Sequence, residues 1–199
     1  MLFTLNYIWV EVDALNSIDI MKMEHQNILR MLEVVRRYCL RVLKHEPVDY
    51  KDFYKIIDFV RNYADKHHHG KEETLLFNRM MDELGSLADK LVRHGMLVEH
   101  DLGRLYMSEL EEALKKLESG DEDAKLDIIA SAMGYVNLLK RHIDKEDNVI
   151  YKFAENNLKK DTLKLIDDES ANFEKKAEGA EVQYKYLVML SELEAKVNK

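Results

Sequence analysis

Apolar positions recur at three- and four-residue intervals along most of the chain, the spacing of one buried face on an α-helix. A first stretch from about Asn16 to Lys44 carries Ile18, Met21, Ile28, Leu29 and Leu32 on one stripe, with Pro47 just beyond it. A second opens at Asp49, a natural N-cap, and runs to Leu84 before Gly85; Ser86 can cap a third that reaches Glu118. Asp121 can cap a fourth ending near Asn156, with Ala132, Tyr135, Leu139, His142, Glu146, Val149 and Phe153 on one face. Asp161 opens a fifth segment bearing Leu163, Ile166, Phe173, Tyr186, Leu187 and Leu190. Gly179 is its weak point, because glycine inside a helix costs about 1 kcal/mol relative to alanine. Four long helices with short connections predict an all-α fold: an antiparallel up-down-up-down four-helix bundle with a C-terminal helical extension. The expected division is residues 1–16 as an N-terminal extension, 17–158 as the bundle and 159–199 as a helical appendage of the same domain.

Composition narrows the partners. One proline and seven glycines in 199 residues are too few for an all-β fold built on tight turns. A net charge of −8 argues against nucleic acid or an anionic membrane as the main partner. Cys39 stands alone, so no intrachain disulfide forms, which suits a reducing cytoplasm. No apolar run reaches the ~20 residues needed to cross a bilayer. The opening MLFTLNYIWVEV lacks the basic start and small-residue cleavage site of a secretory signal, and is expected to pack on the domain or stay mobile.

The second and fourth helices carry nearly the same phrase. His68-His69-Gly70-Lys71-Glu72-Glu73 followed by Leu75-Leu76-Phe77 aligns with His142-Ile143-Asp144-Lys145-Glu146-Asp147 followed by Val149-Ile150-Tyr151. Each copy has a histidine on the preceding helix: His25 lies 43 residues before His68, and His100 lies 42 before His142. Four residues turn an α-helix through about 400°, so His68 and Glu72 share a face one turn apart, as do His142 and Glu146. Carboxylates aimed into an apolar core are costly unless paired or bound to a cation. Two such carboxylates and four imidazoles converging in one bundle point to a metal centre.

Two choices bear on the donor set. In the triplet His67-His68-His69, His68 shares a face with Ala64, Ile57, Glu72 and Leu75, whereas His69 follows Asp58, Asn62 and Asp65, a pattern read as solvated. The periodicity selects His68, with His67 and His69 as outer residues and the alternatives. On the third helix His100 matches the repeat and has Gly103 one turn on; His94 is the alternative, and the i±4 positions of His100 are Met96 and Arg104. His45, beside Pro47, reads as a surface histidine.

With its histidines and glutamates in the order H…HxxxE…H…HxxxE, the chain resembles the hemerythrin-like family of HHE cation-binding domains. The pairs Glu24-His25 and Glu99-His100, and Gly103-Arg104, strengthen the likeness, which spans roughly Ser17 to Leu193. The resemblance implies a bundle holding two iron ions in a non-haem di-iron centre. His25, His68, His100 and His142 would be terminal ligands, and Glu72 and Glu146 would bridge. Zinc or manganese suits the same donors. Ferritin-like bundles use Glu-x-x-His at i, i+3 and do not fit this pattern. Oxygen-carrying hemerythrins have a further histidine on the third helix, where this chain has none beside His100, so a more open and reactive site is expected. The expected function is binding or sensing of dioxygen, nitric oxide or peroxide. The alternatives are an oxidoreductase acting on nitric oxide or peroxide, or a donor of iron for repair of damaged centres. A protein partner or a second copy docking through the C-terminal helix is a further expectation.

Overall fold

A computed structural model describes residues 16–198, so the expectation for the N-terminal extension falls outside the described residues, Asn16 apart. The described residues form helices and turns, with no strand among them. Helix α1 spans Ser17–Leu43, and the Asn16 side chain caps it by accepting from the Asp19 N–H. His45 takes a left-handed φ of 61° and ends the turn, two residues ahead of Pro47. Helix α2 covers 50–84, with Asp49 accepting from the Asp52 N–H as its cap. Gly85 breaks the chain with φ 72° and ψ −154°, and α3 follows over 86–118. Gly120, at φ 100°, makes the turn into α4, residues 124–157.

Two short helices complete the chain, α5 (Lys160–Lys175) and α6 (Ala177–Val197). The fifth segment, whose weak point was expected at Gly179, is broken instead at Lys176, whose ψ of 139° is extended; Gly179 is inside α6. A single extended residue interrupts a helix more sharply than glycine weakens it.

The bundle core is two apolar clusters with a polar layer between them. One holds Ile28–Val42 positions of α1 with Phe53, Ile56, Phe59, Leu110, Leu114, Ile128 and Tyr135. The other holds Ile18 and Met21 with Leu76, Phe77, Met80, Val92, Met96, Ile150 and Tyr151. Successive helices α1 to α4 cross these clusters in alternating order, and each carries its histidines at the crossing. Tyr186, Leu190 and Leu193 of α6 join the first cluster, and Ile166 of α5 joins the second. The C-terminal appendage is thus part of the core.

Regular α-helix gives way to π-helical turns around the polar layer: Val60–His69 and Glu72–Phe77 in α2, Val92–Met96 in α3 and Glu146–Ile150 in α4. Hydrogen bonds closing at i→i+5 take one extra residue into each turn and shift the face that follows. Val149, expected on the buried stripe, is therefore exposed, while Ile150 is buried.

Candidate metal centre

The six residues expected from the repeat are brought together, all with at most 1% of their surface exposed: His25, His68, Glu72, His100, His142 and Glu146. With His69 they make up two donor groups that share Glu72. One is His25, His68, Glu72 and Glu146; the other is His69, Glu72, His100 and His142, with the donor atoms of each group within 4.8 Å of one another. His94 and His45 are exposed and stand apart.

His69 corrects the reading of the triplet as one inner and two outer histidines. All three are buried. The triplet closes a ten-residue π-helical stretch, so counting back in steps of 3.6 misassigns its faces. The ring of His69 stacks on His100 at 3.8 Å, and Asp65, which suggested a solvated face, lies 3.3 Å from its Nδ1. His67 faces elsewhere, toward Glu24, Glu174 and Gln183 at 3.0, 3.3 and 3.1 Å.

The five inner histidines share one arrangement. Each Nδ1 meets a carboxylate: His25 with Asp147 at 2.7 Å, His68 with Glu24 at 2.8 Å, His69 with Asp65, His100 with Glu73 at 2.7 Å and His142 with Glu99 at 2.9 Å. A carboxylate on Nδ1 fixes the ring and leaves Nε2 to face the centre, the arrangement found behind metal-bound imidazoles. Cations back several of these acids. Arg104 bridges Asp65 and Glu73 at 2.7 and 2.8 Å, Lys145 pairs with Glu99, and Lys71 pairs with Glu24.

Sequence reasoning quoted these acids and lysines within the repeat but gave them no role. Glu24 and Glu99 precede the first histidine of each copy; Lys71 and Lys145, then Glu73 and Asp147, flank the glutamate of each phrase. Each Glu of an EH pair orients the second histidine of its own copy, whereas Glu73 and Asp147 orient histidines of the other copy. The signal was the recurrence of charged residues at positions a surface helix would vary freely.

Electrostatics follow from this packing. Burial opposes charge on His25, but Asp147, Glu146 and Glu72 outweigh it and push its pKa up to about 9. His100 is likewise driven against burial to about 9 by Glu146, Glu73 and Glu72, and His142 to about 10 by Glu146 and Glu99. Burial and the neighbouring His25 push His68 down to about 4; burial and His100 push His69 well down. Burial raises Glu72, and its neighbour Glu146 adds to the rise. Glu146, also penalised by burial, is held well below the usual carboxylate range by His142, His100 and His25.

Several buried polar atoms have no hydrogen-bond partner among the described residues: Nε2 of His68 and His69, Oε2 of Glu72, and both carboxylate oxygens of Glu146. His25 and His142 approach Glu146 Oε2 to 3.2 Å without the direction of a hydrogen bond. Unpaired donors of this kind are costly in a core. Nitrogen and carboxylate oxygen facing one point fit a first-row transition-metal ion, which would satisfy them together. A third close group, Glu24, His67 and Glu174, is already compensated by Lys71, whose ammonium donates to both carboxylates.

Buried imidazoles and shared carboxylates in the middle of a helical bundle define a histidine–carboxylate cation-binding protein. The family profile described as Hemerythrin HHE cation binding domain matches residues 16–154, and the chain belongs to that family. Comparison with individual curated proteins finds no match.

Proposed function

We propose that the chain holds two iron ions in a non-haem di-iron centre that binds or senses a small ligand, dioxygen, nitric oxide or peroxide. The observation that carries this reading is the pair of donor groups sharing Glu72, in which Nε2 of His68 and His69, Oε2 of Glu72 and both oxygens of Glu146 lack a hydrogen-bond partner among the described residues. His25 and His68 would serve one ion, and His100, His142 and His69 the other, with Glu72 and Glu146 between them. His69 thus joins the six donors expected from the repeat. Five imidazoles at one position each and two bridging carboxylates at two each fill about nine of the ~12 positions of two octahedral ions. About three remain for solvent or an exogenous ligand. The lone Cys39 is buried, and burial pushes its thiol up to about 11, which leaves it a poor thiolate nucleophile.

The test is metal content and a visible spectrum after reconstitution with ferrous ion in the presence of competing zinc and manganese. Two iron ions per chain are expected; one ion or fewer overturns the reading. Open positions also favour turnover, so an oxidoreductase acting on nitric oxide or peroxide is the second reading, and consumption of either substrate at catalytic rates selects it. Release of iron to an apo acceptor centre would select the repair role. Among the described residues no helix is long and apolar enough to cross a membrane.

A further inference from the structure

A cavity of about 150 Å³ lies beside the polar layer, between α2, α3 and α4. The stacked rings of His69 and His100 form its inner wall, and the exposed Arg61 and Arg104 stand at its outer edge. Val60, Met107 and the ring of Tyr135 give it an apolar lining.

One polar atom in that lining is unsatisfied. The Tyr135 side chain is buried, and its hydroxyl has no hydrogen-bond partner among the described residues. Burial pushes the hydroxyl pKa well up, and Asp65, another wall of the cavity, adds to the rise, so the group stays an O–H donor. An unpaired buried donor is costly. Tyr135 belongs to neither donor group of the centre, so a metal ion held there leaves its hydroxyl unpaired.

The charges around the cavity are already matched. Arg61 pairs with Glu111 at 2.7 Å, and Arg104 pairs with Asp65, Glu73 and Asp101 at 2.7, 2.8 and 2.8 Å. A charged ligand would therefore enter without a free countercharge. The volume is about ten times what one water needs and is enough for a benzene-sized ring.

We propose that this cavity is a binding site, separate from the metal positions, for one uncharged organic molecule of about six heavy atoms that accepts a hydrogen bond from Tyr135 Oη. Compact ketones, aldehydes and ethers are the chemical class. The apolar lining holds the carbon body, and the hydroxyl fixes the oxygen. The molecule lies against two imidazoles of the second donor group, yet its binding needs no metal.

Cyclopentanone, uncharged and of that size, is the probe, titrated into the full chain as purified and after chelator treatment. One molecule per chain is expected in both preparations, with a dissociation constant in the millimolar range. The carbonyl stretch of the bound probe should be that of a hydrogen-bonded ketone. In Tyr135→Phe, which keeps the ring, it should rise to that of a ketone in hydrocarbon, and affinity should drop about tenfold. Cyclopentanecarboxylate and cyclopentylammonium should not compete. Absence of saturable binding, with water alone in the cavity, overturns the proposal. So does a hydrocarbon-like stretch in the wild type, equal affinity in Tyr135→Phe, or competition by either ion. Binding that is lost with the metal, while circular dichroism shows the fold intact, assigns the ketone to the ions; it overturns this site and leaves the metal-centre reading standing. A chain that takes up no metal yet binds the ketone through Tyr135 overturns that reading and supports this one.

Discussion

Lys71 has no exposed surface, and its ammonium pairs with Glu174 of the C-terminal appendage. The same ammonium pairs with Glu24, which accepts from His68 Nδ1, and Gln183 of α6 donates to that carboxylate at 2.8 Å. A chain of contacts thus runs from the appendage to a histidine of the centre. On the opposite side Lys145 does the same service for Glu99 while half-exposed. Removing the buried cation leaves the buried Glu24 and the partly buried Glu174 without their shared countercharge, which costs about 3 kcal/mol. Lys71→Met is expected to lower Tm by roughly 6–12 °C for a chain of this length. Lys145→Met should change it by no more than about 2 °C, since exposed pairs contribute little. Melting curves of the two variants, side by side, check the contrast.

The histidine triplet gives a second prediction. His68→Ala and His69→Ala should each lower metal content from two ions per chain toward one, because each removes an Nε2 that faces a donor group. His67→Gln should keep both ions, since its ring faces Glu24 and Glu174. Elemental analysis decides, and full retention by the His69 variant would return that residue to an outer role.

Glu72 and Glu146 should part company when each is changed to glutamine without metal. Glu146 stands ionised among His25, His100 and His142, so Glu146→Gln strips the compensating charge from buried cations, at about 3 kcal/mol or more. Glu72 is already pushed toward its neutral form by burial and by Glu146, so Glu72→Gln should leave the metal-free protein at least as stable as wild type. Both variants should bind metal poorly. Thermal melts in chelator measure the difference.

A pH dependence follows from the raised histidines. His25, His100 and His142 hold protons in the folded, metal-free chain up to about 9, 9 and 10, against an unfolded value near 6.5. The native state binds more protons across that window, so their stabilisation is complete below about 6.5 and disappears as pH rises through 9 to 10. Glu72, also raised, acts with the same sign. Metal-free protein should therefore melt at lower temperature at pH 9.5 than at pH 6.5. Metal uptake at pH 7 should release protons, because bound imidazoles are neutral. Calorimetry in buffers of different ionisation enthalpy counts them; zero release contradicts the protonation pattern.

Much of this was legible in the residues. Helix limits at Asp49, Gly85 and Glu118 followed from caps and breakers, because those depend on a few local atoms. The repeated His-x-x-x-Glu phrases located the centre, because a doubled motif carries its own spacing. What escaped was register after each π-helical turn, which hid His69 and misplaced Val149 by one residue. No side-chain pattern marks where a helix will take in an extra residue; the tertiary packing of the polar layer decides it. The outer acids escaped for another reason: their partners lie on different helices, beyond the reach of periodicity.

His25 is oriented by Asp147, His100 by Glu73, and Glu72 serves both donor groups. Each helix pair therefore carries one imidazole that is aimed from the other pair. Cleaved at the exposed Ser119–Gly120 turn, the chain would yield two pieces, neither with a whole coordination set. Metal uptake would then become a reporter of fragment complementation: absent from either piece alone and restored on mixing.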